Sequence, residues 1–251
     1  MLTAKMQRRF DPDALRRTVI EMAYAGSTGH IAPAFSIIEV LAVLYRSHLN
    51  LGDGSPDSPG RDYLVLSKGH GIMAQYACMH EIGWLSAEEL GHYFGDGTVL
   101  KGLSDAHVPG VETTSGSMGH GLSVGVGLAW AAKRLGTKQR CFAIVGDGEM
   151  NEGPIWEAFL FAAHWELSNL TVIIDNNGLQ AMGRVEEVLR LGSIASDRHV
   201  SYNDSQRFGG VEGAEGFAER CCPNARSQSW RWSQAAGGCR SGVAGCLGGV
   251  G

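Results

Sequence analysis

Apolar and polar positions change their period along the chain, and the changes mark out its elements. After Phe10, the residues Leu15, Val19, Met22 and Ala23 recur at helical spacing. Asp11 in the N-cap position and Pro12 at the first helical position predict a helix that ends near Gly26. Ile37, Ile38, Leu41, Leu44 and Tyr45 define a second helix, with Ser36 and Glu39 at capping-box spacing. Ser86 and Glu89 repeat that signal ahead of a short helix running toward Phe94. The stretch from Asp62 to Ser67 is a short apolar run bounded by turn residues, which predicts a buried strand with Lys68-Gly-His-Gly71 at its C-terminal end. Cys141–Val145 and Leu170–Ile174 read as two more strands, separated by a helix from about Ile155 to Trp165.

Continuous apolar strands alternating with helices predict an α/β fold, a mostly parallel sheet with helices on both faces. The 251 residues, 44% of them hydrophobic, suffice for one large domain of this kind, which we place over residues 1–195. Ligands of such sheets gather at the C-terminal ends of the strands. Past about Ala195 the pattern is lost. The tail, 196–251, is Gly, Ser, Cys, Arg and Trp without helical or strand period, so we expect it to be irregular; a frameshift in a GC-rich gene would give the same character. Its cysteines (Cys221, Cys222, Cys239 and Cys246) fit no standard zinc spacing and no histidine follows them, which favours free thiols.

A formal net charge of −5 excludes the basic surface that nucleic acid or an anionic membrane requires. There is no run of about 18 apolar residues, and the N-terminus, with Arg8, Arg9, Arg16 and Arg17, lacks the apolar core of a signal peptide. The expectation is a soluble, cytoplasmic protein acting on a small molecule or on a protein partner.

The sharpest chemical signal is Gly146-Asp147-Gly148 directly after one strand, with Asn176-Asn177 directly after the next. A diphosphate is held through a hard divalent cation, which wants a carboxylate, an amide oxygen and a backbone carbonyl. Asp147, Asn177 and the carbonyl of Leu179 supply those three. Gly146 and Gly148 let the backbone approach the phosphates, with the Gly148 amide nearest. Alone, Gly-Asp-Gly would be only a turn; the second element in register makes it a fingerprint.

That fingerprint, in the runs Gly146-Asp-Gly-Glu-Met-Asn-Glu-Gly-Pro-Ile-Trp-Glu157 and Asp175-Asn-Asn-Gly-Leu-Gln180, resembles the thiamine diphosphate site of transketolases. Thr28-Gly-His30, Leu66-Ser-Lys-Gly-His-Gly71 and Gly110-Val-Glu-Thr-Thr-Ser-Gly-Ser-Met-Gly119 resemble the same family, and the likeness runs in order over residues 10 to 192. The resemblance implies the diphosphate-binding domain of that fold, with thiamine diphosphate held through Mg²⁺; Ca²⁺ or Mn²⁺ would satisfy the same ligands. It implies that His30 and His70 meet the substrate hydroxyls or the cofactor diphosphate and move protons, and that the backbone around Gly116 and Met118 meets the cofactor rings. It implies that Glu152 lies near a subunit interface. The activity implied is transfer of a two-carbon ketol unit from a ketose phosphate to an aldose acceptor.

Two departures stand against this. Where the family has Gly-His-Pro, the chain has Lys101-Gly-Leu-Ser-Asp-Ala-His-Val-Pro109, so Leu103 holds the histidine position and His107 is the nearest substitute. The strand, the Asp-Gly-His-Asp-like segment and the further histidine of the family are not recognisable after Ser196. The glutamate that activates the cofactor in this family belongs to a pyrimidine-binding domain, for which 251 residues leave no room. The expectation is therefore a separate C-terminal subunit carrying it, in a dimer or heterotetramer. The rival readings are another thiamine diphosphate enzyme, such as 1-deoxyxylulose-5-phosphate synthase or a 2-oxoacid dehydrogenase subunit, and a non-catalytic remnant or interaction subunit.

Overall fold

The computed structural model describes residues 10–27, 29–190, 229–231 and 245–249, the last two by their backbone. The described chain forms two compact units: one comprises the chain up to Asp62 with Lys68–Gly116, the other Tyr63–Ser67 with Ser117 onward.

The first unit is helical. Helix α1 (Pro12–Ala25) starts as its sequence predicts: Asp11 is the N-cap, its carboxylate accepts from the Ala14 amide at 3.2 Å, and Pro12 follows. Its buried residues are Leu15, Val19, Met22 and Ala23. Two short helices follow, α2 (Ile31–Phe35) and α3 (Ile38–Val43), the latter continuing as a π-turn over Leu44–His48. The capping box expected at Ser36 and Glu39 does not form. Ser36 ends α2 and donates to the Pro33 carbonyl, while Glu39 pairs with Arg16 of α1. A tertiary cation has taken the carboxylate that the local motif would have used. Helix α4 (Ile72–Glu81) is buried from Ile72 through Met79, and α5 (Ala87–Gly91) carries the predicted capping box, with Ser86 and Glu89 bonded reciprocally.

The second unit holds the sheet. Strands β1 (Tyr63–Leu66), β2 (Cys141–Gly146) and β3 (Leu170–Asp175) pair in parallel, in that order. Helix α6 (His120–Leu135) leads into β2, and α7 (Gly153–His164) connects β2 to β3. Val65, Ala143, Val145, Val172 and Ile174 pack with Leu122, Val126, Ile155 and Phe159 of these helices in one core. The alternate positions Leu64, Leu66, Phe142, Ile144 and Ile173 are buried as well, which is why the strands read as continuous apolar runs.

Past β3 come a two-residue ribbon, β4 (Leu179–Gln180) against β5 (Gly183–Arg184), and the short helix α8 (Val185–Val188). Two tail segments extend the sheet. β7 (Gly245–Gly249) runs parallel to β3, and β6 (Ser229–Arg231) runs antiparallel to β7. Sequence reasoning expected no strand there; the rest of the 196–251 expectation, including Cys221, Cys222 and Cys239, lies outside the described residues. Cys78 and Cys141 are buried and form no disulfide. Among the described residues no helix is long and apolar enough to cross a membrane.

Candidate functional site

In the second unit, parallel pairing brings the ends of β2 and β3 level, Gly146 opposite Asp175. The Asp147 amide donates to the Asp175 carbonyl at 3.0 Å, extending the pairing one residue past the strand. The Asp147 carboxylate is 2% exposed; one oxygen accepts from the Gly148 amide and the other from the Gly178 amide, each at 2.7 Å. The turn after β2 and the loop after β3 are thus tied together through the residue expected to hold a cation. Asn177 completes the loop: its side-chain oxygen accepts from the Leu179 amide at 2.9 Å and its Nδ2 donates to Asp175 at 3.2 Å. Gly178 sits at φ 74°, a conformation that favours glycine.

The donor set fits a divalent cation bearing a diphosphate. A carboxylate and a side-chain amide oxygen are both oxygen donors, and hard cations favour mixed carboxylate, amide and carbonyl ligands. Among the described residues no three His, Cys, Asp or Glu side chains cluster as a metal site, so a cation here would depend on such a mixed set. A Cβ at Gly148 would lie 2.9 Å from Gln180 Cγ, so a larger residue would have to displace the Gln180 side chain. Gln180 Nε2 is a buried donor with no partner, a group suited to a phosphate oxygen. The Gly148 amide, expected to be the nearest phosphate donor, is turned to its own Asp147 carboxylate.

Glu152 is the N-cap of α7 and makes no side-chain capping bond. Gly119, at φ 87°, sits so close to it that a Cβ there would lie 2.7 Å from Glu152 Cβ. Met118 is half exposed, and its carbonyl lies 3.1 Å from His120 Nδ1. Sequence reasoning missed Glu149, which is 2% exposed and bonded to Ser67, Gly119 and Gly146. A charged residue inside the fingerprint run was the available signal.

In the first unit, the rings of His30 and His70 meet edge to face with centroids 5.1 Å apart. His30 Nδ1 is buried without a partner; Thr28, from the same motif, lies outside the described residues. Lys68 Nζ donates to Ser36 Oγ at 3.1 Å. The Gly69–Gly71 turn that carries His70 is braced by the Ser104 amide donating to the Gly69 carbonyl, and by the Ser115 amide donating to the Ser104 carbonyl. Leu103, in the place of the family histidine, packs on Gly116: a Cβ at Gly116 would lie 2.8 Å from Leu103 Cδ1. The His107 ring is exposed and bonded to Asp105 at 2.7 Å, and the bonds from His107 hold the Asp105 carboxyl below its ordinary range.

Burial, then the neighbouring His30 and Lys68, push the His70 pKa below the ordinary histidine value. His70 is therefore neutral at pH 7, with one ring nitrogen able to accept a proton. The folded state binds fewer protons than the unfolded one below about pH 6.5. Stability is thus expected to fall as pH drops from there toward the folded value. An NMR titration of the His70 ring should give a midpoint below about 6.5; a midpoint at or above it would contradict this.

A parallel α/β sheet whose adjacent strand ends carry glycine turns, a buried carboxylate and an amide loop has the strand-end crevice at which α/β domains take their ligands. A family profile described as the transketolase thiamine diphosphate binding domain matches residues 10–204. The chain belongs to the transketolase family. It is 38% identical over 187 residues to an apulose-4-phosphate transketolase subunit of Phocaeicola vulgatus, a match covering 74% of this chain and 66% of that one. It is 40% identical over 178 residues to the protein of the same name from Actinobacillus succinogenes, covering 70% and 64%. The chain thus spans just under two thirds of the length of these relatives. Among solved structures, transketolase from Leishmania mexicana superposes with a TM-score of 0.70 at 29% identity, over 75% of this chain and 30% of that one.

Proposed function

We propose that the chain is the diphosphate-binding subunit of a two-subunit transketolase, moving a two-carbon ketol unit from a ketose phosphate to an aldose. The observation that carries this reading is the bond from the Gly178 amide to Asp147, which joins both halves of the cofactor fingerprint at one point. Asp147, Asn177 and the Leu179 carbonyl would hold Mg²⁺, or Ca²⁺ or Mn²⁺ in its place. Gly146, Gly148 and Gln180 would meet the diphosphate. The backbone around Gly116 and Met118 would meet the cofactor rings, and the cofactor, when bound, supplies the electron sink. His30 and His70 would orient substrate hydroxyls, with neutral His70 accepting a proton.

The partner is a second protein with a pyrimidine-binding domain and the activating carboxylate, with Glu152 turned toward the shared interface. Two observations support a partner. The two relatives are named as subunits of a transketolase, and Leu160 and Phe161 of α7 and its C-cap Trp165 are exposed apolar residues, Phe161 and Trp165 beside Trp130. The test is to combine the chain with that partner, thiamine diphosphate and Mg²⁺, and to follow a ketose donor and an aldose acceptor by mass spectrometry. The donor should lose two carbons and the acceptor gain them, and neither chain should do this alone. Decarboxylation of a 2-oxoacid in place of ketol transfer would sink the reading.

A further inference from the structure

Glu149 is a carboxylate in a place where no charge is needed to close a turn. It lies in the 3-10 turn Gly148–Asn151, directly after Asp147, and is 2% exposed. Burying a carboxylate carries a desolvation penalty of several kcal/mol, which only charge-assisted bonds offset. Such bonds come from two distant segments and from the end of β2 just before it. Ser67 Oγ, at the end of β1, donates to Oε1 at 2.6 Å; the Gly119 amide donates to Oε1 at 2.8 Å; the Gly146 amide donates to Oε2 at 3.3 Å. Ser67 Oγ in turn accepts from the Leu122 amide at 3.0 Å, so the first turn of α6 is tied in as well.

We infer that Glu149 is a positioning residue that couples the loop at Met118–Gly119 to the turn at Gly146–Gly148. The inference rests on the proposed cofactor site, in which that loop meets the rings and that turn meets the diphosphate. With one carboxylate accepting from both, the two ends of the cofactor are gripped by segments held in fixed register. The loop has little slack of its own: Gly119 sits at φ 87°, and a Cβ there would lie 2.7 Å from Glu152 Cβ. In Glu149→Gln one oxygen becomes an NH₂ group, which must face an amide or hydroxyl donor instead of accepting from it. The Gly146 or the Gly119 link is lost while the volume is kept.

The test is calorimetric titration of the full chain in Mg²⁺ with thiamine diphosphate and, separately, with inorganic diphosphate. The ratio of the two affinities reads the grip on the rings apart from the grip on the phosphates. In Glu149→Gln this ratio is expected to fall about tenfold, the size of one lost charge-assisted bond, while the inorganic diphosphate affinity changes little. Ser67→Ala, which removes one donor and keeps the charge, should move the ratio the same way by less, and serves if Glu149→Gln does not fold. An unchanged ratio in a folded variant overturns the coupling and leaves the cofactor site standing. Parallel loss of both ligands also overturns it, since Glu149 would then only maintain the phosphate turn. A wild-type chain that binds neither ligand removes the cofactor site itself, and the coupling with it.

Discussion

Asp147→Ala should abolish the rise in melting midpoint that thiamine diphosphate and Mg²⁺ give the wild-type chain. A ligand that binds only the folded state at about a hundred times its Kd adds about 2.7 kcal/mol. For a chain of this size that corresponds to roughly 5–10 °C. The substitution removes the one carboxylate of the proposed cation set together with the acceptor of the Gly148 and Gly178 amides. Those two donors lose their partner beside a buried site, so the ligand-free midpoint should also fall, by an amount on the order of 2 kcal/mol. The two effects separate in one experiment: the second is read without ligand, the first as the difference with and without it. An Asp147→Ala chain that keeps the full ligand-induced rise would remove Asp147 from the cation site.

Gly69→Ala should be the most damaging single-methyl change in the helical unit. A Cβ on Gly69 would lie 1.9 Å from the Ser115 carbonyl oxygen and 2.8 Å from its carbon. These are backbone atoms of a segment that is itself bonded to Ser104, whose amide donates to the Gly69 carbonyl. No rotamer relieves the clash, so the turn carrying His70 must move away from the 104 and 115 segments. Overpacking of this kind costs about 1–3 kcal/mol, more where backbone must shift, which is a fall of several degrees in midpoint. The His70 titration should move with it, since that ring loses its place beside His30. Gly29→Ala is the control, because a Cβ there meets nothing within 4 Å. Equal melts for the two variants would mean that the close approach at Gly69 is not a feature of the folded protein.

What the sequence made legible was what is written locally. The strands at 63, 141 and 170 are unbroken apolar runs, and the glycine and asparagine turns at their ends need only short-range chemistry to be recognised. The cap at Asp11 and the box at Ser86 are of the same kind. Helix α6 was not legible, because its N-terminal half, His-Gly-Leu-Ser-Val-Gly-Val-Gly, carries glycines that lower helix propensity. One of them is there for packing: a Cβ at Gly121 would lie 2.5 Å from Ser67 Cα. Close approach of helix to sheet outweighed local preference. The box misread at Ser36 failed for a related reason, since Arg16 lies far from Glu39 in sequence and no window over 36–39 contains it. Glu149 escaped notice because two of its partners, Ser67 and Gly119, are distant in sequence. Of the site residues, Asp147 is bonded to the Gly178 amide next to Asn177 and His30 meets His70, whereas His107 is exposed beside Asp105.

The division of the chain sets the order in which it can fold. Strand β1 belongs to the sheet, yet the chain leaves the sheet unit immediately after Ser67 and returns only at Ser117. Tyr63 then waits for Cys141, its partner in the parallel ladder, to be made. During synthesis β1 must remain an unpaired apolar segment while the whole 68–116 insertion emerges. Long-range parallel pairing of this kind is slow, and its exposed edges promote aggregation. Closing a longer loop adds little to the equilibrium cost, since each doubling of length adds only about 0.6 kcal/mol. The burden is kinetic, and it falls on the newborn chain, in which β1 lacks its ladder partner until β2 has been made.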